Sequence, residues 1–110
     1  SAPLAGGSVK GRFIGDKPTR EVREFGVWLE KHIGVNHRVM LDLCATPVQG
    51  YFDPKPDAPL IIAQTGNGIL DTLAHEYVHY EQWRDDRPIT ERGVSQRAAA
   101  LVRKWRRERP

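Results

Sequence analysis

The chain has 110 residues, of which 39% are hydrophobic and 28% charged, with a formal net charge of +3. That length and mix predict one globular domain over residues 1–110, with a single core and little surface left for a second module. No apolar run approaches the ~20 residues that span a bilayer, no basic segment leads into an apolar stretch as in a secretory leader, and the lone Cys44 excludes an internal disulfide. A single thiol fits a reducing compartment, so the expected location is the cytoplasm.

Residues 1–8, Ser-Ala-Pro-Leu-Ala-Gly-Gly-Ser, are expected to be flexible and to lie outside the fold. Residues 9–14 mix glycine with apolar and basic side chains and read as a short strand. Asp16 and Thr19 flank Pro18, a helix-start pattern. Val22, Phe25, Leu29 and Ile33 then recur at helical spacing and Gly34 follows as a C-cap, so residues 19–33 are a predicted helix.

Residues 38–44 read as a strand with Val39, Leu41 and Leu43 alternating on one face. Thr46-Pro47 ends it, and residues 50–52 form a short extended piece. Three prolines between residues 53 and 59 demand a loop. Leu60, Ile61, Ile62, Ala63 and Gln64 make the strongest predicted strand, rich in β-branched residues. Thr65-Gly66-Asn67-Gly68 breaks it and offers a helix cap. A helix is predicted over residues 69–85, an interruption at Arg87-Pro88, and a last helix over residues 90–107. Strands and helices that segregate in this way predict an α+β fold: a small, mostly antiparallel sheet with a backing helix and two further helices.

The first of those two helices carries His75-Glu76-Tyr77-Val78-His79. Two histidines four residues apart lie one turn apart on one helix face, where both imidazoles can reach one metal ion at ~2.0–2.1 Å. The intervening Glu76 falls about 100° round the helix, beside such a metal rather than on it, where it can take a proton from a water. Thr72, His75, Glu76, His79 and Gln82 share one sector of the wheel, and Ile69, Leu70, Leu73, Tyr77, Val78 and Tyr80 fill the other. The bland alternative is a pair of solvated histidines on an amphipathic helix.

A catalytic zinc takes three protein ligands and keeps one position open. Glu81 points away on the same helix, and Asp86, seven residues past His79, lies about 10 Å further along the axis. The third ligand must therefore come from another segment. In the last helix Val94, Ala98, Leu101, Val102 and Trp105 form the inward stripe, and Glu91 extends it. A carboxylate on a buried face needs a partner, and a short turn at Arg87-Pro88 would fold this helix back beside the motif. The alternative is that Glu91 merely complements the dipole of a helix first turn. His37 and His32 are the fallback ligands.

The motif with its downstream glutamate resembles the zincin metallopeptidases, in particular the gluzincin branch, and in size the minimal stand-alone minigluzincins. The likeness covers residues 19–106 in layout but specific residues only between Thr72 and Ser95. It implies a zincin-like core with a Zn2+ cofactor held by His75, His79 and Glu91. It implies an endopeptidase in which Glu76 is the general base for a zinc-activated water. It also implies a peptide or protein substrate paired along an edge strand, for which Leu60, Ile61, Ile62, Ala63 and Gln64 are the expected residues. Tyr51 and His37 are the candidate donors to the oxyanion. Two positions depart from the family pattern: Glu81 stands where an apolar residue is favoured, and Ser95 stands where many members have an aspartate that braces a histidine.

Two other functions compete. One is a zinc-binding interaction module that is latent or inactive as a protease. The other is nucleic-acid association through Arg103, Lys104, Arg106, Arg107 and Arg109, against which no aromatics interleave and Trp105 belongs to the inward stripe. Cys44 reads as a small core residue of its strand, and Trp83 as packing at a helix end.

Overall fold

A computed structural model describes residues 12–45 and 48–109. The expected flexible segment 1–8 and the first half of the expected strand 9–14 lie outside these residues. The elements run β1 (Phe13–Gly15), α1 (Arg20–Ile33), β2 (Met40–Cys44), β3 (Gly50–Asp53), β4 (Leu60–Gln64), α2 (Ile69–Arg84) and α3 (Val94–Glu108). The fold is α+β, with three helices and a four-stranded sheet among the described residues.

The sheet is mixed, which corrects the mostly antiparallel expectation. Its order is β1-β2-β4-β3. β1 pairs parallel with β2, β2 parallel with β4, and only β3 with β4 is antiparallel. The reason is the connection: β1 and β2 are joined through α1, and a crossover helix delivers the next strand in the same direction. β3 and β4 are joined by the proline-containing turn at residues 54–59, which reverses the chain.

Leu60–Gln64 is consequently not an edge strand. Both its sides are hydrogen-bonded, Ile61 standing opposite Leu41 on one side and Phe52 on the other. Its apolar run fits that interior place, with Ile61 and Ala63 fully buried. The edge next to it is β3.

Helix α1 follows its sequence signals. The Thr19 hydroxyl accepts from the Val22 amide at 3.2 Å, and Gly34 closes the helix at φ 76°, a left-handed conformation that glycine adopts without strain. The amides of Gly34 and Val35 both return to the Glu30 carbonyl. Val22, Phe25, Leu29 and Ile33 face the core.

Helix α2 departs from its expected two-faced pattern because it sits in the middle of the molecule. It packs against α1, α3, β3 and β4. Leu70, Leu73, Ala74, Tyr77, Val78 and Tyr80 are buried, but so are Thr72, Glu76, His79 and Gln82. It ends in a Schellman-type turn: Asp86 takes φ 56° and the Arg87 amide donates to the Gln82 carbonyl at 2.9 Å.

The last helix begins four residues later than expected, at Val94 rather than residue 90. Gly93 adopts φ 74°, which no helix interior allows, so the chain turns there before α3 starts. Glu91 is therefore in the connecting turn, not on the inward stripe. That stripe is otherwise as read, with Val94, Ala98, Leu101, Val102 and Trp105 buried. Arg97 of α3 binds Glu81 of α2 through two bonds of 2.8 Å, which explains a charged residue at Glu81. Among the described residues no helix is long and apolar enough to cross a membrane.

Candidate metal centre

The helical repeat of α2 sets the His75 and His79 rings 5.0 Å apart, centroid to centroid. The Glu91 carboxylate reaches both from the turn before α3. Its Oε1 lies 2.8 Å from His75 Nε2, and its Oε2 lies 2.9 Å from His79 Nε2. One ligand atom from each residue falls within 4.8 Å of the others. Glu91 stays 75% exposed at its side chain, so it is aimed at the histidines from the solvent side rather than buried as expected. Hydrogen bonds and charge from the two histidines, outweighing burial, hold its carboxyl below the usual range.

Gln82 organises this arrangement, and it was not singled out from sequence. Its Nε2 donates to the Thr90 carbonyl at 3.1 Å, and its Oε1 accepts from the Thr90 amide at 3.3 Å. Those two bonds fix which end of the amide is oxygen. The same Oε1 lies 3.0 Å from His79 Nδ1, so Nδ1 donates to it and Nε2 is the nitrogen turned to Glu91. Gln82 thus ties the histidine to the very turn that supplies Glu91. The available signal was a polar residue three after His79, on the histidine sector.

Glu76 is 6% exposed and lies beside the cluster. Burial raises its carboxyl pKa, the two histidines oppose that rise, and Glu91 adds to it. The close approach of β3 makes this burial possible. A Cβ on Gly50 would lie 2.7 Å from Thr72 Cγ2 and 2.8 Å from Glu76 Oε2, too close for any other residue without a shift. Gly50 was read only as part of an extended piece.

These residues floor a cleft of about 540 Å³ between β3 and the start of α3, within the size range of ligand sites. Gly50, Tyr51 and Phe52 of β3 line it on the strand side, and Ile89 and Ala98 are among its other lining residues.

No family model, no curated protein and no solved structure matches this chain. What the cluster can hold is decided by its own chemistry. With Nδ1 protonated, a neutral His79 points an Nε2 lone pair at a carboxylate oxygen 2.9 Å away. Two acceptors at that distance repel unless a positive charge stands between them, either a proton on Nε2 or a metal cation. Two imidazole nitrogens and a carboxylate are a donor set that suits zinc.

The other sequence candidates lie elsewhere. The His37 Nδ1 is 2.8 Å from the Tyr80 hydroxyl, with its ring against Trp83, and it does not line the cleft. His32 stacks on Trp28 at 4.7 Å. Neither joins the cluster as a third ligand. Trp83 packs between His37, Phe52 and Tyr80, and Cys44 is half-buried in β2 rather than in the core, on the strand face opposite buried Leu41 and Leu43, away from the cleft. Ser95 lines the cleft, but the bond that orients His79 comes from Gln82. At the basic end of the chain, Arg109 pairs with Glu21 at 2.9 Å and covers the Trp105 ring, and Lys104 pairs with Glu108.

Proposed function

We propose that this chain is a zinc-dependent endopeptidase of the gluzincin type, with a zincin-like core. His75, His79 and Glu91 hold the metal, and Glu76 moves the proton. The convergence of three ligand-type side chains from two separate segments, beside a buried carboxylate at the floor of a cleft, carries this reading.

Bound there, zinc supplies a Lewis acid that activates water and polarises a carbonyl. The remaining work belongs to the chain. Glu76 accepts a proton from water at its carboxylate and passes it to the leaving amine, a role suited to a carboxyl raised by burial. Gln82 keeps the His79 ring in one tautomer. β3 offers the peptide substrate a backbone ladder, since only one of its sides is taken by β4. Of the two residues considered as oxyanion donors, Tyr51 lines the cleft and His37 does not.

Zinc content and turnover, measured together, test this. Wild-type protein should hold about one zinc per chain by elemental mass spectrometry, Glu91→Ala should hold far less, and Glu76→Gln should keep its zinc while losing cleavage of an unfolded protein by ~10²-fold or more. Metal content near zero in protein never exposed to chelator, with no uptake on addition, would leave His75, His79 and Glu91 as a hydrogen-bonded cluster shared with a proton. A Glu76→Gln protein that cleaves at the parent rate would remove the proposed base.

A further inference from the structure

Positive charge in this chain is concentrated on one helix. Residues 94–109, α3 with its C-cap, hold six of the 17 lysines and arginines and one of the 14 acidic residues, so the rest of the chain is net negative. The buried stripe of α3 ends at Trp105, and Arg103, Arg106 and Arg107 stand away from it, all exposed. Lys104 and Arg109 are paired with Glu108 and Glu21. The side chains of Arg103, Arg106 and Arg107 have neither an ion pair nor a hydrogen bond among the described residues. The negative pole of the helix dipole favours cations here, but it does not account for what lies beside them.

Buried Trp105 apart, the sequence puts no aromatic ring among these cations; the fold does. Helix α1 supplies a stack of three rings. Phe25 and Trp28 are 6.1 Å apart at 17°, and Trp28 and His32 are 4.7 Å apart at 11°. The stack runs outward, with Phe25 fully buried, Trp28 half-buried and His32 exposed. Trp28 Nε1 donates to Glu108 Oε1 at 3.0 Å. That bond holds the indole and sets the stack against the last turn of α3, beside Arg107. Trp28 covers one face of the His32 ring, and among the described residues no ring covers the other. A stack left open at its solvent end, next to unpaired guanidinium groups, can take a further planar ring whose chain carries negative charge.

We infer that the α1–α3 surface binds single-stranded nucleic acid. A base continues the Phe25–Trp28–His32 stack on His32, and Arg103, Arg106 and Arg107 hold phosphates. A duplex keeps its bases in its own stack and offers no free face to His32. An anionic membrane fits this surface less well. A helix that lies on a membrane buries large apolar side chains in it, and none of the exposed large apolar residues is on α1 or α3. None of these binding residues lines the metal cleft, so the inference stands apart from the peptidase reading.

Fluorescence anisotropy of a fluorescein-labelled twenty-nucleotide oligothymidine tests it. Wild-type protein should bind with a dissociation constant of about 10 μM or tighter at about 50 mM salt, and the plot of log affinity against log salt should have a slope of about −2 or steeper, as three phosphate contacts on a single strand require. The triple variant Arg103→Gln, Arg106→Gln, Arg107→Gln should lose about two units of that slope and at least about ten-fold in affinity. His32→Ala should weaken binding about five-fold or more with the slope unchanged, and His32→Phe should restore it, since a phenyl ring stacks as well. A duplex of the same length should gain nothing from His32. Zinc content should equal the parent's in every variant. No binding at low salt overturns the inference, as does binding that the triple variant retains. Parent affinity in His32→Ala removes the stacked base and overturns it equally. Binding to phosphatidylserine vesicles without binding to the oligonucleotide would assign the arginines to a membrane surface instead.

Discussion

Gly50 and Glu76 belong to different elements, yet a hydrogen on the Gly50 Cα is all that separates β3 from the Glu76 carboxylate. A methyl there would meet Glu76 Oε2 at 2.8 Å and Cγ at 3.2 Å, so the carboxylate or the strand must move. On the proposed peptidase reading, where a misplacement of 1 Å can cost about 10²-fold in rate, Gly50→Ala should lower kcat by about that factor without loss of zinc, since none of His75, His79 and Glu91 meets a Cβ at Gly50. Parallel metal analysis and steady-state kinetics check this. A Gly50→Ala protein with parent kcat would show that Glu76 does not act from the position seen here. Gln82 is the other residue whose importance lies in its contacts: one amide side chain orients His79 and holds Thr90, and so ties α2 to the turn that carries Glu91.

Among the elements, α2 depends on α1 for more than apolar packing. Arg12 is 2% exposed and donates to both Glu30 carboxylate oxygens and to the Val39 carbonyl. The Tyr77 hydroxyl donates to the same Glu30 carboxylate. Burial and the Glu30 charge push the Tyr77 pKa well up, so this phenol stays protonated and remains a donor. Tyr77 immediately follows the proposed base, so this tie anchors the motif helix from its core side. Glu30→Ala would leave a buried phenol without its acceptor and a buried guanidinium without its carboxylate, though still bonded to the Val39 carbonyl. The expected loss is about 3–5 kcal/mol, a large part of the ~5–15 kcal/mol typical of a domain. Urea denaturation of the two proteins measures it, and a loss below about 1 kcal/mol would mean that water or a shifted neighbour replaces the carboxylate. Tyr80 makes a second tie from the same helix, with its hydroxyl donating to Asn36 Oδ1 at 3.0 Å and accepting from the Asn36 amide.

For the molecule as a whole, the proposed zinc site would link metal and fold through the turn before α3. Glu91 reaches the histidines only when that turn is folded against α2, so a cation held by all three residues favours the folded chain. At free zinc about 100 times its dissociation constant the gain is ~2.7 kcal/mol, which corresponds to a melting temperature higher by about 10 °C for a domain of this size. Differential scanning calorimetry with zinc and with a chelator should show that difference in wild type and little of it in Glu91→Ala. Equal melting temperatures under both conditions would count against a three-residue zinc site. Charge is also organised at this scale. Three carboxylates, Asp71, Glu76 and Glu91, line the cleft in a chain with 17 Lys and Arg against 14 Asp and Glu, and part of the basic C-terminal segment is occupied by Glu21 and Glu108.

How much of this was legible in sequence follows the range of each interaction. Helix α1 and its caps, the strand character of residues 60–64 and the inward stripe of α3 were readable because each depends on neighbours within a turn or a pleat. The pairing of His75 with His79 was readable for the same reason, as helix geometry alone brings their rings together. Glu91 was read as a third ligand on a helical stripe; it does lie beside the histidines, but in a turn that Gly93 separates from α3, so its route there was misread. The parallel β1–β2 pair was implicit in the strand–helix–strand order of β1, α1 and β2, whereas the parallel β2–β4 pair, with no helix between those strands, was not. Which strand forms the edge was not legible, because Leu60–Gln64 and Gly50–Asp53 differ in composition but not in any signal of who pairs with whom. The closeness of Gly50 to Glu76, the grip of Gln82 on Thr90 and the burial of Arg12 on Glu30 all join residues far apart in the chain, and only their packing in three dimensions decides them. The sequence by itself determined which side chains were available for metal chemistry and on which helix face two of them stand; the tertiary structure decided what meets them there, because close packing admits or excludes a group by fractions of an ångström that no spacing rule contains.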